Sequence, residues 1–333
     1  MSGGILIVAP SWIGDTILAQ PLFARLHQRH TDLALDVLAA PWSAPLLGRM
    51  PEVRRVVPSP FVHGRFDLAA RWSVGRQLAG EVYDQAIVLP NSWKSALPVF
   101  FAGIRRRTGF SGEARVGLLN DRRRLDEAAM PLLAERYAQL AEDDGEPPRQ
   151  PLMPPRLSST HEQQRAVRAA LGLPADAAPV VFCPGAEYGP AKRWPARHFA
   201  ALAAMLPGPV WLVGSAKDEP IGAEIESLSG GRAQNLCSRT TLDQAIDLIA
   251  GARCVVSNDS GLMHVAAALE RPLAALFGSS SPRYTPPMSA RARIISLGLE
   301  CSPCFKRECP LGHLRCLNDL SPEQVAAALT NLS

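Results

Sequence analysis

Short apolar runs alternate with amphipathic stretches along most of this 333-residue chain. A run of four or five apolar residues suits a strand buried on both faces, and apolar residues recurring every three to four positions suit a helix. In the first half the pattern predicts strands at Ile5–Ala9, Ala34–Ala39, Arg55–Val57 and Gln85–Leu89. It predicts helices at Asp15–Arg29, Phe66–Ala79, Ser92–Phe101 and Met130–Glu142. The stretch "DDGEPPRQPLMPPRLSS", residues 143–159, has five prolines and no apolar period, so it reads as a linker. Beyond it, strands are predicted at Val180–Cys183, Val210–Val213, Ala233–Leu236, Cys254–Ser257, Leu273–Phe277 and Arg293–Ser296. The helices between them are His161–Leu171, Ala196–Met205, Leu242–Ala250 and Leu262–Leu269. A last helix follows Ser321, a good N-cap, with Pro322 at its first position. Such alternation is the α/β pattern. We expect two doubly wound, Rossmann-like domains, residues 1–150 and 160–333, facing each other across a cleft at the carboxyl ends of their strands. The length also favours two domains.

Composition narrows the class. Apolar residues make up 47% and charged residues 20%, enough for sizeable cores and unlike a disordered chain. The net charge of +4 is mild and gives no nucleic-acid signature. Its distribution is uneven. Lys94, Arg105, Arg106, Arg107, Arg115, Arg122, Arg123 and Arg124 face only Glu113 and Asp121 within residues 94–124, so that segment carries +6 and the remainder −2. A patch of this kind suits a polyanionic partner, although a solvated surface would look the same. The amino terminus has no basic leader, and no run reaches the roughly 18–20 apolar residues of a membrane span. A cytosolic protein with reduced cysteines is expected.

Two nucleotide motifs fail. No G-x-G-x-x-G follows a predicted strand, and "GAEYGPAKRW" lacks the Gly-Lys-Ser/Thr of a P-loop. Two strand-to-loop corners remain in the second half. "VVFCPGAEYGPAKRWP" ends a strand at Cys183 and brings Gly185, Lys192 and Arg193 into the following loop. "CVVSNDSGLMHVAAAL" ends a strand at Ser257 and leads through Asp259, Ser260 and Gly261 into a helix carrying His264. Backbone N–H groups at a helix start, with a glycine permitting close approach, make an anion site. Taken singly, Asp259 or Ser260 reads better as an N-cap and His264 as a helix histidine; two such corners in one domain, one with a lysine, point to a diphosphate. In the first half, "APSWIGDTILAQP" places Asp15 at a strand-to-helix turn, as either a cap or a catalytic carboxylate.

With these residues the chain resembles the ADP-heptose:lipopolysaccharide heptosyltransferases. The likeness is carried by "PSWIGDTILAQP", "LPNSWKSALPVFFAGIRRRTGF", "PGAEYGPAKRWP", "LVGSAKDE", "SNDSGLMHVAAAL", "LFGSSSPRYTPP" and "CSPCFKRECPLGH". The forms around Asp15, Lys94 and the cysteines look more like the members that add the second heptose than those that add the first. The resemblance implies a GT-B fold and inverting transfer of L-glycero-D-manno-heptose from ADP-heptose, a substrate and not a cofactor. The implied acceptor is heptosyl-Kdo-lipid A, an anionic glycolipid at the cytoplasmic face of the inner membrane. By motif, Asp15 matches the general base and Lys192 the residue holding the donor's phosphates. Asp259 matches a residue near the donor sugar, and Ser260, Gly261 and His264 the phosphate corner, with Gly185 beside Lys192. Lys94, Arg105, Arg106 and Arg107 fall in the acceptor-facing domain.

The chemistry fits those residue types. The acceptor hydroxyl must lose a proton as it attacks, which a carboxylate base accelerates about 10²–10⁴-fold. The departing diphosphate gains charge, which a lysine and a helix amino terminus stabilise. No Asp-x-Asp pair adjoins these corners, so metal-independent transfer is expected. The acceptor that the resemblance implies brings an expectation of peripheral membrane contact, and a monomer is expected. A sugar-nucleotide 2-epimerase of the same fold, and a non-catalytic nucleotide or polyanion binder, are the rival readings. Cys301, Cys304, Cys309 and Cys316, with His313 among them, suit either structural zinc or reduced, packed thiols.

Overall fold

The computed structural model describes residues 3–30, 32–61, 65–330 and 332. The backbone divides into two compact units, Met1–Pro155 and Arg156–Ser333, with the boundary inside the proline-rich stretch.

The amino-terminal unit opens with β1 (Gly4–Val8), α1 (Ile13–Leu18), α2 (Gln20–Arg29), β2 (Leu35–Ala39), α3 (Ala44–Leu47) and β3 (Arg55–Pro58). It continues with α4 (Leu68–Leu78), β4 (Tyr83–Val88), α5 (Trp93–Phe101), β5 (Arg106–Phe110), β6 (Asp121–Arg123) and α6 (Leu133–Gln139). Its six strands lie in the order β3-β2-β1-β4-β5-β6, all parallel. The order reverses between β2 and β4, around β1, which is where doubly wound sheets open a crevice at their carboxyl ends. β1 is buried along its whole length, as a central parallel strand must be.

The carboxy-terminal unit repeats the plan. Its first half is α7 (His161–Ala170), β7 (Val180–Cys183), α8 (Ala196–Met205), β8 (Val210–Leu212), α9 (Glu219–Leu228) and β9 (Ala233–Asn235). Its second half is α10 (Leu242–Ala250), β10 (Cys254–Asn258), α11 (Gly261–Ala268), β11 (Leu273–Leu276), β12 (Ala292–Ile295), α12 (Arg315–Asn318) and α13 (Pro322–Thr330). The strand order is β12-β11-β10-β7-β8-β9, again parallel, with β7 and β10 meeting at the reversal. β7, β10 and β11 are fully buried. Trp194 is wholly buried beneath this sheet, its indole edge-on to Phe199 at 4.8 Å and its Nε1–H bonded to the Leu320 carbonyl at 2.9 Å. α13 begins as expected, with Ser321 and Gln324 exchanging hydrogen bonds across its first turn.

Four expectations need correction. The helix predicted at Asp15–Arg29 is two helices, because Pro21 has no N–H to donate back to Ile17 and the chain re-starts at Gln20. The helix predicted from Met130 begins at Leu133, after Pro131, with Glu135 reaching back to the Leu132 N–H at 3.1 Å. β5 and β6 were not expected, since their arginines mask the apolar alternation. Nor was α9, which has Pro220 in its first turn and buries only Gly222 and Ile225, too narrow a stripe to show as a period.

Candidate functional site

The carboxy-terminal unit gathers its candidate residues at the reversal of strand order, and the amino-terminal unit places Asp15 and Lys94 there but not its arginines. In the carboxy-terminal unit, β7 delivers the loop that ends in a single 3-10 turn at Pro190–Lys192, and β10 delivers Asp259 and the start of α11. Because β7 and β10 are hydrogen-bonded neighbours, residues far apart in sequence meet there. Lys192 Nζ pairs with Asp259 Oδ2 at 2.5 Å. Asn258 ties the two loops together: its Oδ1 accepts from the Trp194 N–H at 3.0 Å, and its Nδ2 donates to the Pro184 carbonyl at 2.7 Å. Asp259 is buried and Lys192 only partly so, its ammonium lying over the Tyr188 ring at 5.2 Å.

Ser260 occupies the N-cap position of α11, yet its side chain caps nothing there. The first N–H groups of a helix have no intrahelical partner, so this end keeps donors and positive dipole for an anion. His264, one turn on, is buried, and its Nδ1 has no hydrogen-bond partner among the described residues. Burial drives its pKa down to about 4; the Asp259 carboxylate opposes that shift and the Lys192 ammonium reinforces it. The imidazole is therefore neutral at pH 7. Gly185 is required by packing, since a side chain there would collide with the Asp218 carboxylate. That carboxylate is held in place by the Ser215 N–H and hydroxyl at 2.9 and 2.8 Å. The cationic and N–H donor groups at this corner are therefore Lys192 and the open start of α11 at Gly261.

The model of glycosyltransferase family 9 (heptosyltransferase) matches residues 71–315, from the middle of the amino-terminal unit to α12. The chain belongs to glycosyltransferase family 9. It is 45% identical to Lipopolysaccharide heptosyltransferase 2 of Escherichia coli K12, over 98% of both chains. It is 43% identical to Lipooligosaccharide heptosyltransferase 2 of Haemophilus influenzae, over 98% of this chain and 99% of that one. Among solved structures, E. coli ADP-heptose lps heptosyltransferase II superposes with a TM-score of 0.89 at 44% identity, covering 99% of this chain and 98% of that one.

In the amino-terminal unit of this family 9 chain, Asp15 follows β1 and Lys94 follows β4, so both lie at carboxyl ends of adjacent strands. Trp12, not Asp15, is the N-cap of α1; Asp15 stands third in the first turn, half-buried. Three neighbouring strands are each followed by an exposed tryptophan: Trp12 after β1, Trp42 after β2 and Trp93 after β4. All four tryptophans of this unit are exposed, whereas Trp194 and Trp211 of the other are buried.

The arginines expected to meet the acceptor lie elsewhere. Arg105, Arg106 and Arg107 stand at the amino end of β5, where Arg106 is opposite Gln85. Roughly 13 Å of strand separates them from the carboxyl edge that carries Asp15 and Lys94. Two are already engaged. Arg106 Nε bonds Asp121 Oδ2 at 2.8 Å, and Arg107 donates to the Leu118 and Ile104 carbonyls at 2.7 and 2.6 Å. Burial pushes the Asp121 carboxyl up, but Arg123, Arg106 and Thr108 outweigh it and hold its pKa at about 2. Arg115 and Arg123 are buried too. Much of the +6 segment is thus internal wiring of β5 and β6, and the structure does not bring Arg105–Arg107 to Asp15.

Sequence reasoning passed over three residues that shape these sites. Glu113 accepts from the Trp93 N–H at 2.9 Å at the start of α5. Asn258 links the two corners. Ser280 donates to Asp259 Oδ2 at 2.5 Å, and its only signal was the serine run after β11. As for the cysteines, no three His, Cys, Asp or Glu side chains among the described residues gather as a metal-holding group. Cys301 is exposed and Cys316 buried. Their segment packs on the Lys192 loop instead: the Ala191 N–H bonds the Arg307 carbonyl at 3.0 Å, and Tyr188 Oη donates to the Phe305 carbonyl at 2.9 Å.

Proposed function

We propose that this chain transfers L-glycero-D-manno-heptose from ADP-heptose to heptosyl-Kdo-lipid A, adding the second heptose of the lipopolysaccharide inner core. The observation that carries the proposal is the pairing of Lys192 with Asp259 beside the uncapped start of α11, at the strand reversal of a family 9 chain. The full-length likeness to proteins named as heptosyltransferase 2 supports the second-heptose step over the first and over epimerisation.

Asp15 is the general base. It removes the acceptor hydroxyl's proton as the oxygen attacks the anomeric carbon from the face opposite the diphosphate, which inverts the configuration. The bond to the diphosphate oxygen breaks, and Lys192 with the α11 N–H groups takes up the charge that develops there. No step needs a metal ion, because the cationic role falls to Lys192. Asp259 lies nearest the donor sugar, and Ser260, Gly261 and His264 line the phosphate side, with Gly185 shaping the loop.

Lys94 meets the acceptor's anionic groups, and the indoles of Trp12, Trp42 and Trp93 meet its apolar surfaces. The proposal implies a monomer working at the cytoplasmic face of the inner membrane, in peripheral contact. Among the described residues no helix is long and apolar enough to cross a bilayer. Mass spectrometry of the acceptor after incubation with ADP-heptose tests the activity. The expected product is the acceptor plus one heptose; an unchanged acceptor with a C2-inverted donor would establish the epimerase instead.

A further inference from the structure

We infer that Ser280 is a positioning residue, holding the Asp259 carboxylate in place while the donor's diphosphate draws Lys192 away. Asp259 Oδ2 is shared by two donors, Lys192 Nζ and Ser280 Oγ, each at 2.5 Å. The two differ in freedom. Lys192 carries its charge on a flexible stem, and 18% of its side chain is exposed. Its ammonium is also the group that the proposed function assigns to the diphosphate, so the inference rests on that reading. A diphosphate carries more charge than one carboxylate and competes for the same ammonium.

Once Lys192 turns to the diphosphate, a buried carboxylate loses its cation, and an unpaired buried charge is costly. Ser280 is the partner that stays. It is itself buried, on the loop that follows β11. That loop is pinned at the two residues before Ser280: Ser302 Oγ donates to the Gly278 carbonyl at 2.5 Å, and the Phe305 N–H donates to the Ser279 carbonyl at 2.7 Å. Gly278 lies against Leu317 and Cys316 with no room for a side chain. The main chain of Asp259 is fixed as well, its N–H bonded to the Leu276 carbonyl at 3.1 Å. A fixed hydroxyl facing a fixed carboxylate keeps Oδ2 solvated and aimed when the lysine leaves. The cysteine-bearing segment then has a task without metal: it clamps the loop that presents Ser280.

Calorimetric titration of ADP into the full-length protein tests this with Ser280→Ala, Ser280→Thr, Asp259→Asn and Asp259→Asn/Ser280→Ala. A hydrogen bond to a charged group matters most when the other partner has gone, so Ser280→Ala is expected to weaken ADP about tenfold. Ser280→Thr keeps the hydroxyl and restores binding. In the Asp259→Asn background there is no charge to hold, and adding Ser280→Ala changes ADP affinity by less than about twofold. In turnover assays Ser280→Ala raises the donor KM more than it lowers kcat. Undiminished ADP binding by Ser280→Ala, an equal loss in the Asp259→Asn background, or failure of threonine to rescue would each overturn the inference. Wild-type protein that does not bind ADP would overturn the donor assignment itself, and the inference with it.

Discussion

Asp15 stands in the first turn of α1, where the helix dipole favours an anion. The cap position belongs to Trp12 and not to Asp15. Lys192 and Asp259 were legible individually, from a strand end followed by a glycine-bearing loop. Their partnership was not, because it depends on β7 and β10 being neighbours across 67 residues of chain. Ser280 was illegible for the same reason one strand further out. His264 gives a prediction at this scale. Its folded pKa of about 4 lies below the ordinary value of 6.5, so the unfolded chain binds a proton first as pH falls. Stability is intact above pH 6.5 and drops between 6.5 and 4, by about 3 kcal/mol from this residue. Denaturant unfolding at several pH values should show His264→Gln losing distinctly less over that window than the wild type. Parallel curves for the two proteins would mean that His264 is not the group responsible.

Helix ends separate polar side chains that cap from those that do not. α10 has a reciprocal cap, with Thr241 Oγ1 accepting from the Gln244 N–H at 3.3 Å and Gln244 Oε1 accepting from the Thr241 N–H at 3.0 Å. α11 has a serine in the equivalent place that caps nothing. Thr241→Ala should therefore cost about 1 kcal/mol of stability, while Ser260→Ala costs a few tenths at most. Chemical denaturation of both variants compares them directly; a larger loss for Ser260→Ala would mean that the hydroxyl is structural. Most elements were readable from periodicity, and the central strands best, since burial on both faces leaves an unbroken apolar run. β5 and β6 were not, because Arg106, Arg107, Arg122 and Arg123 interrupt the run while Thr108, Gly109 and Phe110 go inside. The same arginines suggested an acceptor patch. A run of like charge in sequence does not reveal that Asp121 lies among it as a hub for Arg106 and Arg123.

Across the whole chain, the two units share one strand order and differ in what they expose. Each repeats the plan in which a ligand site opens where the order reverses. The amino-terminal unit leaves its four tryptophans at the surface and the carboxy-terminal unit buries both of its own. Exposed indoles suit a surface that meets glycolipid, being apolar in body and polar at one edge. Co-sedimentation with anionic vesicles carrying the acceptor glycolipid should pellet the wild type. A Trp12→Ser/Trp42→Ser/Trp93→Ser variant should stay in the supernatant; pelleting of that variant would place the contact elsewhere. The split near Pro155 falls among the prolines of residues 143–159, and the two corners that the carboxy-terminal motifs marked meet at β7 and β10. The side of the sheet on which each basic residue falls needed the register.

The account turns on Asp15 acting in the chemical step and Lys192 acting on the diphosphate. The most direct test measures kcat for heptose transfer and the ADP dissociation constant on the same Asp15→Asn preparation. A kcat lowered about 10²-fold or more, with ADP affinity within about twofold of wild type, is the expected result. Turnover within about threefold of wild type, or ADP affinity lost in parallel with turnover, would contradict the base assignment.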